Sequence, residues 1–108
     1  MEEESVLIEA FGNSPKMRII DFFLDNKLFD FSKKEIIEEL GMSKTTFYKV
    51  WDDIEKFGII EVSRKYGKTK LYKLNRENPV VKGLIKIERK LIRESIPRVE
   101  RVKIPVKV

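Results

Sequence analysis

Met42-Ser-Lys-Thr-Thr-Phe-Tyr-Lys-Val-Trp-Asp-Asp-Ile-Glu-Lys-Phe-Gly-Ile-Ile60 is the stretch on which the fold turns. Ser43 offers a side-chain oxygen that can cap the first amides of a helix, and Gly58 is the residue type that closes one. Between them Phe47, Trp51, Ile54 and Phe57 recur at steps of four, three and three, so a helix over 43–57 puts these large apolar side chains on one side. Lys44, Thr45, Tyr48 and Lys49 then occupy the opposite face within the first two turns, with Asp52 further along.

Working upstream, Ser32-Lys-Lys-Glu35 fits a capping box that starts a helix carrying Ile36, Ile37 and Leu40 and ending at Gly41. Two short helices separated by so abrupt a turn are the signature of a helix-turn-helix. Before them, Leu28-Phe-Asp-Phe31 alternates as a short strand does, and Ser14-Pro15 opens a helix through Met17, Ile20, Phe23 and Leu24 to Asp25-Asn26. The first apolar stretch, Val6, Leu7, Ile8, Ala10 and Phe11, ends at Gly12-Asn13 and is either a helix turn or an arm that packs on a second copy.

Downstream, residues 59–63 read as a strand, 64–70 as a basic loop, and 71–74 as a returning strand, together a β-hairpin whose loop forms a wing. Asn78-Pro79 opens a last helix over 79–95, in which Val80, Leu84, Ile87 and Leu91 are widened into a broad stripe by Val81, Ile85 and Ile92. Such a stripe exceeds what a small monomer's core needs, which makes these seven residues the expected homodimer interface; a helix folded back on its own domain is the alternative. Pro97 breaks the helix, and the alternation of Val102, Ile104, Val106 and Val108 suits an edge strand or a basic tail over 96–108. The expected class is mainly α with a small β-hairpin (α+β): one domain over 1–95, with an added C-terminal dimerisation helix.

Composition narrows the function. A chain of 108 residues has room for one core, and 42% apolar with 38% charged residues describes a globular domain rather than a membrane span or a low-complexity linker. Cysteine and histidine are both absent, which removes disulfides, thiolate nucleophiles, zinc sites of the usual ligands and an imidazole base. No cofactor or metal is therefore expected. With no signal-peptide core and no apolar run of spanning length, a cytoplasmic location without membrane contact is expected. Abundant Lys, Glu and Ile without Gln, His or Cys is a bias of thermophilic proteins. Net charge is +5, distributed as −4 over 1–31, −2 over 32–62 and +11 over 63–108. The second half thus builds a basic surface suited to a polyanion.

The 42–60 stretch resembles the recognition helix and following turn of winged-helix transcriptional regulators, broadly of the ArsR and MarR type. These families show Leu-Ser-basic-Ser-Thr-Val, a polar stretch, then Leu-Glu-x-x-Gly-Leu-Ile, and Ser43, Thr46, Glu55, Gly58 and Ile60 fall in register with that pattern. Phe11-Gly-Asn-Ser-Pro15 and Tyr72-Lys-Leu-Asn-x-x-Asn-Pro79 also look like small archaeal regulators of this kind, so the resemblance covers about residues 5–95. It implies a sequence-specific, dimeric DNA-binding protein. Trp51 stands where the family usually has Leu and reads as core.

For duplex DNA the roles divide by position. Lys44, Thr45, Tyr48 and Lys49 lie early and outward on the helix, where base edges of the major groove are reached. Ser43 and Thr46 are placed for phosphate at the helix start, a structural cap being the plainer role for Ser43. Arg64, Lys65, Lys68 and Lys70, with Tyr66 at the tip and Gly67 in the turn, match a wing gripping phosphate or the minor groove, and Lys33 and Lys34 are further phosphate contacts. Asp52 and Asp53 belong at the groove's rim. A winged-helix module that binds protein within the transcription machinery is the competing function. A nuclease built on Asp52, Asp53 and Glu55 is disfavoured, since adjacent helical positions diverge by about 100° and the three carboxylates do not converge.

Overall fold

The computed structural model describes residues 5–95. Each of its five helices begins at a side chain that takes up an otherwise orphaned backbone amide. Ser5, Ser14, Ser32 and Ser43 accept from the third residue beyond them, starting α1 (Val6–Phe11), α2 (Pro15–Asp25), α3 (Lys33–Leu40) and α4 (Lys44–Lys56). Asn78 does the same for α5 (Pro79–Glu94), and the reciprocal Ser32–Glu35 capping box expected of α3 is present. The opening apolar stretch is thus a helix, with Leu7 and Ile8 buried.

Two glycines set the path through the centre of the chain. Gly41 sits at φ +60, left-handed backbone that ends α3 and turns the chain into α4, while the amide of Met42 bonds back to the Ile37 carbonyl at 3.1 Å. Gly58, at φ +71, ends α4, and its carbonyl accepts the side-chain amides of Asn75 (3.1 Å) and Asn78 (2.9 Å). That knot joins the end of α4 to the start of α5.

The core forms where the helices' apolar faces meet the hairpin. Phe47 stacks on Trp51 with ring centres 4.8 Å apart, and Trp51 meets Tyr72 edge-on at 5.1 Å. Phe23, Ile36, Ile54, Leu74 and Val81 close around them without measurable exposure beyond 1%. Full burial of each such side chain contributes about 1.5–3 kcal/mol. As read from the sequence, Trp51 belongs to this core.

The hairpin pairs β1 (Ile60–Tyr66) with β2 (Thr69–Leu74) antiparallel, from Ile60 opposite Leu74 to Tyr66 opposite Thr69, with a bulge between Val62 and Arg64. The strands run further than the sequence signals: 64–66 and 69–70 are paired backbone, and the expected seven-residue loop shrinks to a turn at Gly67 and Lys68. Consecutive ladder bonds outweigh the local charge density that marked a loop. The strand expected at 28–31 is reduced to one bridge, in which Phe31 and Tyr72 exchange two backbone bonds of 2.8 Å, while Leu28 and Phe29 are exposed.

Two further expectations are corrected. Phe57 continues the α4 apolar spacing but is 59% exposed, because it is the C-cap, where the helix has already begun to unwind. On α5, Val81 is enclosed by the chain's own core and Leu84, Ile85 and Leu91 pack against it, so the broad stripe is mostly consumed within the protomer. Val81 therefore cannot face a second copy. Val80, Ile87 and Ile92 remain exposed at 52%, 40% and 50%. No helix among the described residues is long and apolar enough to cross a membrane. The expected strand or tail over 96–108 lies outside the described residues.

Candidate nucleic-acid interface

With Phe47, Trp51 and Ile54 anchored in the core, the opposite face of α4 is fixed outward. Lys44, Thr45, Tyr48 and Lys49 are all exposed on it, as is Asp52 one turn later. Among the described residues Lys44 and Lys49 have no carboxylate partner, whereas Lys16, Lys27, Arg64, Lys73 and Lys82 each have one. A lysine without a local carboxylate keeps its full charge available to an external anion.

Braces from α2 hold that presentation. Lys16 Nζ meets Asp53 Oδ2 at 2.8 Å, which turns this carboxylate sideways toward α2 and holds it below the usual carboxylate range. Arg18 donates to the carbonyl of Leu40 at the end of α3. Neither brace has a local sequence signal, since 37 and 22 residues separate the partners. Ser43 acts as the plainer reading has it: its oxygen takes the Thr46 amide at 3.1 Å and its hydroxyl donates to Thr46 Oγ1 at 3.0 Å. Thr46 is half-buried in that arrangement.

Beside α4, the start of α3 and the hairpin bound a cleft, with Lys33 and Lys34 on one wall and Lys68, Thr69 and Lys70 on the other. None of these four lysines pairs with a carboxylate of the described residues. Lys33 is held differently from the rest, its ammonium lying 5.4 to 5.8 Å from the ring centres of Tyr48, Trp51 and Tyr72. Lys34, Lys65, Lys68 and Lys70 are exposed, and Lys68 shares the hairpin turn with Gly67, whose φ of +57 suits glycine.

Arg64 differs from the other basic residues of the hairpin in having a carboxylate partner at close range. Its Nε lies 2.9 Å from Asp30 Oδ2 and its Nη2 3.3 Å from Oδ1, while its plane lies over the Tyr66 ring at 5.3 Å. This two-pronged pair, joined by Ser63 Oγ at 2.8 Å, pins the hairpin to the segment after α2 and holds Asp30 below the ordinary carboxylate range. Arg64 thus pairs within the protein while its side chain stays 56% exposed. Of the expected site residues, Lys34, Lys44, Lys49, Lys65, Lys68 and Lys70 are exposed cations without a carboxylate partner among the described residues, Lys33 lies over the rings, and Tyr48 and Tyr66 are exposed.

Elsewhere, Asp21, Asp25 and Glu88 bring carboxylate oxygens within 4.8 Å of one another where α2 meets α5. Ser5 donates to Asp21 at 2.8 Å, and Lys27 stands 3.6 Å from Glu88. Burial, then the charges of Asp21 and Glu88, push Asp25 above the ordinary carboxylate range. Asp52, Asp53 and Glu55 form no such group among the described residues. No family model, curated protein or solved structure matches this chain.

Proposed function

We propose that the chain is a sequence-specific, double-stranded DNA-binding transcriptional regulator of the winged helix-turn-helix type. In this reading α4 enters the major groove, where Lys44, Thr45, Tyr48 and Lys49 meet base edges, and Lys34, Lys65, Lys68 and Lys70 grip the flanking backbone. The observation that carries it is the outer face of α4: two exposed lysines without carboxylates, a threonine and a tyrosine, flanked by a cleft of four more unpaired lysines. A homodimer is part of the proposal, formed through Val80 and Ile87, a heptad apart on one flank of α5, beside α1 with its exposed Phe11. Two-fold pairing sets the recognition helices about 34 Å apart on successive major-groove faces, and repression follows by occlusion.

Selection of bound sequences from a random duplex pool tests this directly. The expected result is an enriched inverted repeat whose affinity falls steeply with added salt. Affinity that is indifferent to sequence and salt overturns the reading, and a protein that sediments as a monomer at tens of micromolar removes the dimer.

A further inference from the structure

A second cleft lies away from α4, between the hairpin, the segment after α2 and α5. From α5 it takes Lys82, Ile85, Lys86 and Arg89, whose spacing of three, one and three puts them on one face over about 10 Å of helix. Lys27 and Leu28 border it on one side and Lys73, Leu74 and Arg76 on another. Six cations thus surround three apolar side chains, and Leu28 projects into solvent at 77% exposure.

The charges are unevenly spent. Glu61 and Glu77 stand 3.9 Å from Lys73 and 3.8 Å from Lys82, contacts too long and too exposed to contribute much. Arg76, Lys86 and Arg89 have no carboxylate partner among the described residues. Two free guanidinium groups and a free ammonium around a protruding leucine match a ligand with carboxylates along one edge and apolar side chains along another. A duplex fits poorly, because its charged backbone has no apolar side chains to seat on Leu28 and Ile85.

We propose that this cleft docks an acidic, amphipathic peptide segment of a partner protein, seating its leucine-type side chains on Leu28 and Ile85 and its carboxylates on Arg76, Lys86 and Arg89. The site is separate from the α4 face, and the proposal does not depend on DNA binding.

Fluorescence anisotropy of a fluorescein-labelled Glu/Leu amphipathic peptide of about twelve residues, titrated with the full chain, tests it. Saturable binding is expected, with affinity lowered more than about tenfold by the double variant Arg76→Glu, Arg89→Glu and at least about threefold by Leu28→Ser. A polyglutamate of equal length and the same peptide with Gln for Glu should each bind more than about tenfold less tightly. All three substituted side chains are exposed, so unchanged thermal melting is expected and confirms that the variants fold. Absence of binding by the parent protein, equal binding by the variants, or equal binding of polyglutamate each overturns the proposal. So does a loss of duplex affinity in the double variant matching its loss of peptide affinity, which assigns the cleft to nucleic acid.

Discussion

The ammonium of Lys33 stands 5.7 Å from the centre of the Trp51 ring, with Tyr48 and Tyr72 as neighbours at 5.4 and 5.8 Å. Three elements meet at this one charge: the start of α3, the inner and outer faces of α4, and β2. A lysine at the first position of a helix opposes the macrodipole, so the rings compensate a charge that the helix itself disfavours. Lys33→Met keeps the aliphatic stem and removes the charge. The expected outcome is a loss of about 1 kcal/mol in urea unfolding, together with a change in Trp51 emission, since the ring loses its adjacent cation. An unchanged midpoint and spectrum would show that the rings hold the stem and not the charge.

Acid should unfasten two surface pins in the same pH range. Asp30 is held below its ordinary range by Arg64 and then by Ser63, and Asp53 by the hydrogen bond and charge of Lys16. A carboxyl whose folded pKa is depressed contributes stability above its unfolded value of about 3.9 and loses it as pH falls through the folded value. Thermal midpoints are expected to be level from about pH 5 upward and to drop below about pH 4. Asp25 acts with the opposite sign: its raised pKa means that its ionised form is disfavoured in the fold. Asp25→Asn should therefore raise the melting temperature at neutral pH, and a lowered one would contradict the crowding of Asp21 and Glu88 around it.

Releasing Arg64 is a separate matter. Asp30→Asn removes the charge that engages the guanidinium and should free it for phosphate. Duplex affinity is expected to rise and the salt slope to steepen by about one counterion. Reduced affinity would show instead that the pair positions the hairpin for binding.

Gly58 and Gly41 separate two reasons for a glycine. A Cβ on Gly58 would meet Asn78 Nδ2 at 2.7 Å, whereas one on Gly41 meets nothing within 4 Å. Both carry positive φ, so Gly41→Ala should cost about 1–2 kcal/mol from backbone alone. Gly58→Ala should cost more, because it also displaces the side chain that caps α5. Equal denaturant midpoints for the two variants would mean that Asn78 moves aside freely.

What the sequence discloses follows from the range of the forces involved. Caps at Ser14, Ser32, Ser43 and Asn78 act over three residues, and helical periodicity acts over four, so the helices and the outward face of α4 were readable. Arg64 with Asp30 and Lys16 with Asp53 join residues 34 and 37 positions apart, and composition alone marks both cations as free. The α5 stripe misled for a related reason: periodicity shows that Val81, Leu84, Ile85 and Leu91 are buried, but not by which chain. At Phe57 the spacing was right and the helix had ended.

Lys49 and Lys68 make the last and sharpest test, because the proposed function asks different things of them. Lys49 faces outward from the second turn of α4, where the proposal has it read a base edge, while Lys68 sits in the hairpin turn, where the proposal has it meet backbone alone. Lys49→Ala is expected to cost about 1–3 kcal/mol against the selected site and to relax preference at one base position, leaving affinity for unrelated duplex nearly unchanged. Lys68→Ala should weaken selected and unrelated duplex alike and lower the salt slope by about one. Anisotropy titrations of both variants on both duplexes at several salt concentrations distinguish the two patterns. If neither substitution alters affinity, the proposed contact of α4 and the hairpin with DNA is overturned, and the competing reading, a module that binds protein, is the one to test.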